Sequence, residues 1–179
     1  MQIGPEVTDL ATEFWDYSLN VYSHQPMQDQ LLDWQNNAGA NVNICLLCLW
    51  SGNQGRLLHR TDLARAEERL AAWNRAVTRP LRELRQRLKV GWPVLPSAAH
   101  NTRQQILAAE LEAEKTEQSI LIAVLAPWTI EPNAAQARRT GFANLETYLG
   151  SATAAPAASM ASIWAVSYTH LTLPTSRSV

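Results

Sequence analysis

The sequence predicts an all-α protein: a single compact bundle of five to six helices, with a central apolar helix and a long Arg-rich helix along one side. Apolar residues recur every three or four positions through most of residues 5–150, which is the period of an amphipathic helix. No stretch shows the apolar–polar alternation typical of a half-buried strand. The 179 residues are also enough for one domain with one core.

The first two helices are delimited by prolines and a glycine. The first follows Pro5 and should end near Ser23, because Pro26 suits the first turn of a second helix. Gly39 should end that second helix, since glycine takes the left-handed backbone conformation at little steric cost. The inward-facing positions of the first helix are predicted to be Leu10, Phe14, Tyr17 and Val21.

Residues 41–50 predict the central helix. Asn41 or Asn43 is a suitable N-cap, and the residues that follow are apolar on every side, as expected of a helix surrounded by others. The pair Cys45 and Cys48 lies inside this apolar run, whereas a redox pair normally lies exposed at a helix start. We therefore interpret both as buried thiols.

The long Arg-rich helix should start at Thr61-Asp62 and run to about residue 88, with a kink at Pro80, where the apolar repeat slips by one residue. Its predicted buried stripe is Leu63, Ala66, Leu70, Trp73, Val77, Leu81, Leu84 and Leu88.

Residues 91–96 predict an extended connector, with Trp92 packed on the core. A fifth helix is expected from about Thr102 to Leu125, and a sixth after Pro132. The buried side of the fifth should comprise Ile106, Ala109, Ala113, Ile120 and Val124, and that of the sixth Phe142, Leu145, Tyr148 and Leu149. Trp15, Trp34, Trp50 and Trp73 should pack in the core as well.

We assign residues 1–150 to the helical domain and residues 151–165 to a flexible tail rich in Ala, Ser and Pro. Residues 166–179 read like a translated sequencing adapter, since one frame of a transposase mosaic end encodes Val166–Thr175, and we interpret them as an artefact. The sequence shows neither a secretory signal nor an apolar run long enough to span a membrane. A cytoplasmic location is therefore expected.

Charge is distributed unevenly along the chain. Residues 1–55 contain six acidic residues and no Lys or Arg, whereas residues 56–89 contain ten basic and four acidic ones, a net charge of plus six. Arg75, Arg79 and Arg82 should share one face of the long helix, opposite the leucines. Because guanidinium groups suit carboxylates and phosphates, we expect this face to bind an acidic protein partner. Nucleic-acid or ribosome binding through the same face is the alternative, and an enzyme of unknown chemistry is the third.

Glu110, Glu114 and Glu117 recur along one side of the fifth helix. A carboxylate-bridged metal site would require Glu-x-x-His motifs that the sequence lacks, so we expect these carboxylates to pair with arginines of the basic helix. The sequence shows no nucleophile elbow, no phosphate-binding loop and no zinc-ligand spacing. We therefore expect no catalytic residues, no metal and no cofactor.

Three segments carry a resemblance: Glu13-Phe14-Trp15-Asp16-Tyr17-Ser18-Leu19, then Gly39–Asn43 opening an apolar helix that ends at Trp50, then Arg79-Pro80-Leu81-Arg82. Over about residues 8–150 the chain resembles an uncharacterised proteobacterial family of unknown function, numbered twenty-three ninety. An Asp often stands in that family where this chain has Asn41. The resemblance implies an all-α fold in a bacterial cytoplasmic setting, and it implies no activity, substrate or catalytic residue.

Overall fold

The computed structural model describes residues 5–89, 96–128 and 134–152, and within these ranges every regular element is a helix. The all-α prediction is confirmed. A π-helical segment, Asn74–Thr78, joins α4 and α5 into one continuous helix. The helices are α1 (Pro5–Tyr22), α2 (Gln25–Ala38), α3 (Val42–Asn53), α4 (Arg60–Trp73), α5 (Arg79–Lys89), α6 (Pro96–Val124) and α7 (Ala134–Ala152).

The helices group into two compact units. One unit contains the start of α1, up to Thr12, together with α4, the π segment, α5 and α6. The other contains the rest of α1, from Glu13, together with α2, α3 and α7. The acidic N-terminal region and the Arg-rich helix therefore fall largely into different units.

The turn between α2 and α3 follows the sequence prediction closely. Gly39 ends α2 in the left-handed conformation, with φ of 67°. Asn41 is the N-cap of α3, because its side-chain oxygen accepts hydrogen bonds from the backbone N–H groups of Asn43 (2.8 Å) and Ile44 (3.3 Å). The backbone N–H of Asn41 in turn donates to the Tyr148 hydroxyl of α7 at 2.9 Å.

Helix α3 is the core of its unit, since every residue from Asn43 to Gly52 is buried. Trp50 packs against Phe14 of α1, with ring centroids 5.2 Å apart. Burial raises the pKa of the Cys45 and Cys48 thiols above the usual range, so neither forms a thiolate readily. The interpretation of this pair as buried thiols is confirmed.

Asn144 of α7 anchors the loop that follows α3. Its side chain is fully buried and accepts a hydrogen bond from the Leu58 backbone N–H at 2.7 Å. It also donates to the backbone carbonyls of Cys48 (3.1 Å) and Arg56 (3.0 Å). One amide thus satisfies two backbone groups of the segment that leads to α4 and one carbonyl of α3.

The predicted leucine stripe is correct only for the first half of the long helix. Leu63, Ala66 and Leu70 are buried. Beyond Trp73 the prediction is wrong: α5 has no buried side chain, and Leu84 is 44% exposed. A π segment holds one residue more than the α-helical turn it replaces, so the inward row moves by one position and passes through Asn74 and Thr78.

The face of α6 also differs from the prediction. The helix begins at Pro96, six residues before the expected start at Thr102. Ala113 is buried as predicted, but Ala109 is exposed. The polar residues Glu110, Glu117 and Gln118 are buried instead.

Several predictions lie outside the described residues: the connector with Trp92, the tail beyond residue 152 and the adapter-like segment. The last described helix ends at Ala152, two residues past the expected domain boundary at 150. Trp34 and Trp50 are buried as predicted, whereas Trp15 and Trp73 are half-buried. Among the described helices, none has both the length and the apolar character needed to cross a membrane.

Candidate functional site

A polar seam runs between the Arg-rich helix and α6. Asn74, Thr78 and Arg82 recur every four residues and therefore share one side of their helix. The hydrogen-bond partners of Asn74 and Arg82 on α6 run in the opposite chain direction, so the two helices pack antiparallel along the seam. We call this group the seam; it comprises Asn74, Thr78, Arg82, Arg85, Glu110, Glu114 and Glu117.

Arg82 and Arg85 hold the carboxylates of α6. Arg82 donates from Nε to Glu110 at 3.1 Å and from Nη2 to Glu114 at 2.6 Å. Arg85 donates to both oxygens of Glu110, and the bond from its Nη2 is 3.2 Å long. Glu110 is buried and the two arginines are about one-fifth exposed. The prediction that the glutamates pair with arginines of the basic helix is confirmed for Glu110 and Glu114.

The last residue of α4 and the π segment supply the remaining contacts with α6. The Trp73 indole N–H donates to the Ala113 carbonyl at 3.1 Å, and the Asn74 amide donates to Glu117 at 3.0 Å. Thr78 is fully buried, and its hydroxyl has no hydrogen-bond partner among the described residues. A short π-helical segment inside an α-helix often marks a position where packing or function requires a changed register.

The pKa values of Arg82 and Glu114 are both raised, but for different reasons. Burial acts to lower the pKa of the Arg82 guanidinium, but the attraction of Glu114 and hydrogen bonds to Glu110 and Glu114 outweigh it, so this pKa lies above its usual value. Burial raises the pKa of Glu114 more than the attraction of Arg82 lowers it, and the carboxylates of Glu110 and Glu117 add to the rise. Arg82 is held charged, while Glu114 retains its proton more readily than an exposed glutamate.

This shift predicts a pH dependence of stability. The pKa of Glu114 in the folded protein is raised above its ordinary value of 4.5. At pH values between the ordinary and the raised pKa, the folded protein therefore binds more protons than the unfolded chain. The stabilisation from protonated Glu114 is therefore fully present below pH 4.5 and is lost as the pH rises through the raised pKa. Urea unfolding from pH 4 upward should show the free energy of unfolding of the wild type falling relative to Glu114→Gln. A difference that stays flat or grows with pH would contradict the shift.

The three arginines of the predicted partner surface differ in their exposure to solvent. Arg75 and Arg79 are exposed, and Arg79 lies 3.5 Å from Glu83 in an exposed pair of the kind that contributes little to stability. Arg82 does not share this exposure, because its side chain is 21% exposed and is bonded to Glu110 and Glu114. The open part of the predicted surface consists of Arg75 and Arg79.

Sequence reasoning missed Arg85, Asn74 and Thr78 as members of the seam. A signal for them was present, since Asn74, Thr78, Arg82 and Arg85 continue the three- and four-residue spacing from Leu70. The leucines one position away form an apolar row with the same period, so the spacing alone favours the leucines as the buried row. In the seam two arginines bond Glu110 and Glu114, and Asn74 bonds Glu117, an arrangement that fixes one helix against another.

The described residues contain no group of three or more His, Cys, Asp or Glu side chains arranged to hold a metal ion. In the seam, Glu110 and Glu114 are bonded to guanidinium groups, and Glu117 accepts from an amide. These carboxylates therefore serve as acceptors for arginine and asparagine.

The sequence of this chain matches one protein family. The pattern of the family described as "Protein of unknown function (DUF2390)" matches residues 13–121, which include α2–α5, the π segment and most of α6. Neither the curated proteins nor the solved structures contain a match. Since the match covers more than half of the 179 residues, the chain belongs to the DUF2390 family of proteins of unknown function.

Proposed function

We propose that this protein is a non-enzymatic, cytoplasmic interaction module that binds an acidic protein partner through the exposed arginines of its long basic helix. Arg75 and Arg79 are the centre of the proposed surface. The observation that carries the proposal is the charge on the exposed side of α4, the π segment and α5. Seven basic residues are exposed there against three acidic ones, namely Arg60, Arg65, Arg69, Arg75, Arg79, Arg87 and Lys89 against Glu67, Glu68 and Glu83.

The chemistry of arginine supports a carboxylate-bearing partner. A guanidinium group presents a planar fork of N–H donors that can bond both oxygens of one carboxylate. The seam illustrates this, because Arg85 bonds both oxygens of Glu110. Arg75 and Arg79 have the same donors but face solvent. Arg82 is already engaged by carboxylates of its own chain, so we assign it the role of holding α5 on α6.

The test is affinity capture from a lysate of the source organism with the full chain as bait, with and without nuclease. The test variant is Arg75→Ala with Arg79→Ala. A matched control, Arg65→Ala with Arg69→Ala, removes the same charge from the same helix about 15 Å away. We expect the test variant to lose nuclease-resistant partners and the control to keep them. For an isolated partner, we expect the affinity of the test variant to fall by about tenfold or more.

The outcomes separate the alternatives. Partners that disappear with nuclease, with an affinity that falls steeply as salt is raised, would identify a nucleic-acid or ribosome-binding protein. Partners that bind the test variant as well as the wild type would overturn the proposed surface. Unchanged melting temperatures for both variants are the control that their folding is intact.

A further inference from the structure

The first helix carries an acidic face that is open in this chain. Asp9, Glu13 and Asp16 are spaced by four and three residues, so they lie on one side of α1. All three side chains are exposed, and none has a hydrogen bond or an ion pair among the described residues. Leu19, three residues beyond Asp16, is 50% exposed. The helix therefore offers a row of carboxylates bordered by an exposed leucine.

The Arg-rich helix offers the opposite arrangement. Arg75 and Arg79 are four residues apart, which is close to one turn of the helix at the π segment. Leu111 of α6 is 41% exposed and lies one turn before Glu114, the acceptor for Arg82. Because α6 runs antiparallel to α5 and Glu110 bonds Arg82 and Arg85, the neighbouring Leu111 lies level with these two arginines, beyond Arg79 along α5. The surface is a pair of guanidinium groups with an exposed leucine further along the same two helices.

We infer that the acidic partner is a second copy of this chain, whose Asp9–Asp16 face docks on the Arg75 and Arg79 surface. This inference rests on the proposed function and names its partner. Asp9 and Glu13 have the same four-residue spacing as the two arginines, so both ion pairs form in register.

The expected association is weak and sensitive to salt. Exposed ion pairs each contribute little, and salt screens them. The contact of Leu19 with Leu111 adds apolar burial beside the charges. A symmetric dimer contains the contact twice, because each copy supplies one α1 face and one arginine surface.

A charge-reversal experiment tests the inference directly. The basic-reversed chain carries Arg75→Glu with Arg79→Glu, and the acid-reversed chain carries Asp9→Arg with Glu13→Arg. We expect the weight-average mass of the wild type to rise above 19.9 kDa with concentration in low salt, by sedimentation velocity. Each reversed chain alone should remain at the monomer mass. An equimolar mixture of the two should associate again, since opposite charges then face each other at both contacts.

A matched control reverses two carboxylates of the same spacing on α2, Asp29→Arg with Asp33→Arg, and should leave the association intact. Circular dichroism confirms that each variant is folded, and added salt should dissociate the wild type. A wild type that stays monomeric in low salt overturns the inference. So does association that survives either reversal, or a mixture that fails to associate.

The experiment also separates this inference from the proposed function. If the chain is monomeric but Arg75 and Arg79 still capture a different acidic protein, only the self-association is wrong. If neither association nor arginine-dependent capture is found, the proposed interaction surface is wrong as well.

Discussion

Replacing Gly52 with alanine is expected to lower the free energy of unfolding by about 3 kcal/mol, as for a severe case of overpacking. A Cβ atom at this position would lie 2.3 Å from the backbone nitrogen of Gly141, 2.4 Å from its Cα and 2.8 Å from the carbonyl oxygen of Ala137. All three are backbone atoms of α7, which no rotamer change can move aside. Helices α3 and α7 would have to separate, and urea unfolding monitored by circular dichroism measures the loss.

Gly141→Ala is the matched control for this substitution. A Cβ atom there would lie 3.5 Å from the Cα and carbonyl oxygen of Leu49, which is ordinary van der Waals contact. Alanine also favours the helix over glycine by about 1 kcal/mol, so this variant should be as stable as the wild type or more stable. Equal losses in the two variants would show that the close approach at Gly52 is not the cause.

The second large effect is expected at Glu110. Glu110→Gln should lower the free energy of unfolding by about 3 kcal/mol, because it removes the buried charge that accepts hydrogen bonds from both Arg82 and Arg85. Glutamine keeps nearly the same volume, so no cavity contributes to the loss. Equilibrium unfolding at neutral pH gives the value.

Glu83→Gln is the control for Glu110→Gln, because Glu83 also pairs with arginines but does so at the exposed surface. Glu83 lies 3.5 Å from Arg79 and 3.9 Å from Arg87, and all three side chains are more than half exposed. The change should therefore cost less than about 1 kcal/mol. If Glu110→Gln costs no more than Glu83→Gln, the seam does not stabilise the α5–α6 pair.

The sequence was informative wherever local chemistry sets the conformation. Gly39 ends α2 because the left-handed conformation favours glycine, and Asn41 caps α3 because its short side chain reaches the next N–H groups. Residues 44–50 could be assigned to a buried helix because no side of it is polar, and the structure extends this helix beyond the predicted end at Trp50 to Asn53. These features depend on a few neighbouring residues, and all were confirmed.

The candidate site was predicted only in outline. Pairing of Glu110 and Glu114 with arginines of the basic helix was expected from their spacing, and the structure confirms it. Which arginines bond the glutamates could not be predicted, because Arg75, Arg79 and Arg82 are equivalent in sequence. Only the packing of α6 against the π segment turns Arg82 inward and leaves the other two exposed.

By itself, the sequence determined the helices, most of their ends, the buried α3 and the separation of acidic from basic segments. Periodicity, capping and charge are local properties of the chain. The tertiary structure alone decided that a polar row faces α6 beyond Trp73 and that Glu110 and Glu117 are buried. It also decided that the backbone of α7 packs against Gly52. The physical reason is that two rows of one helix can have the same period, and only the groups on the opposing helix determine which row is buried.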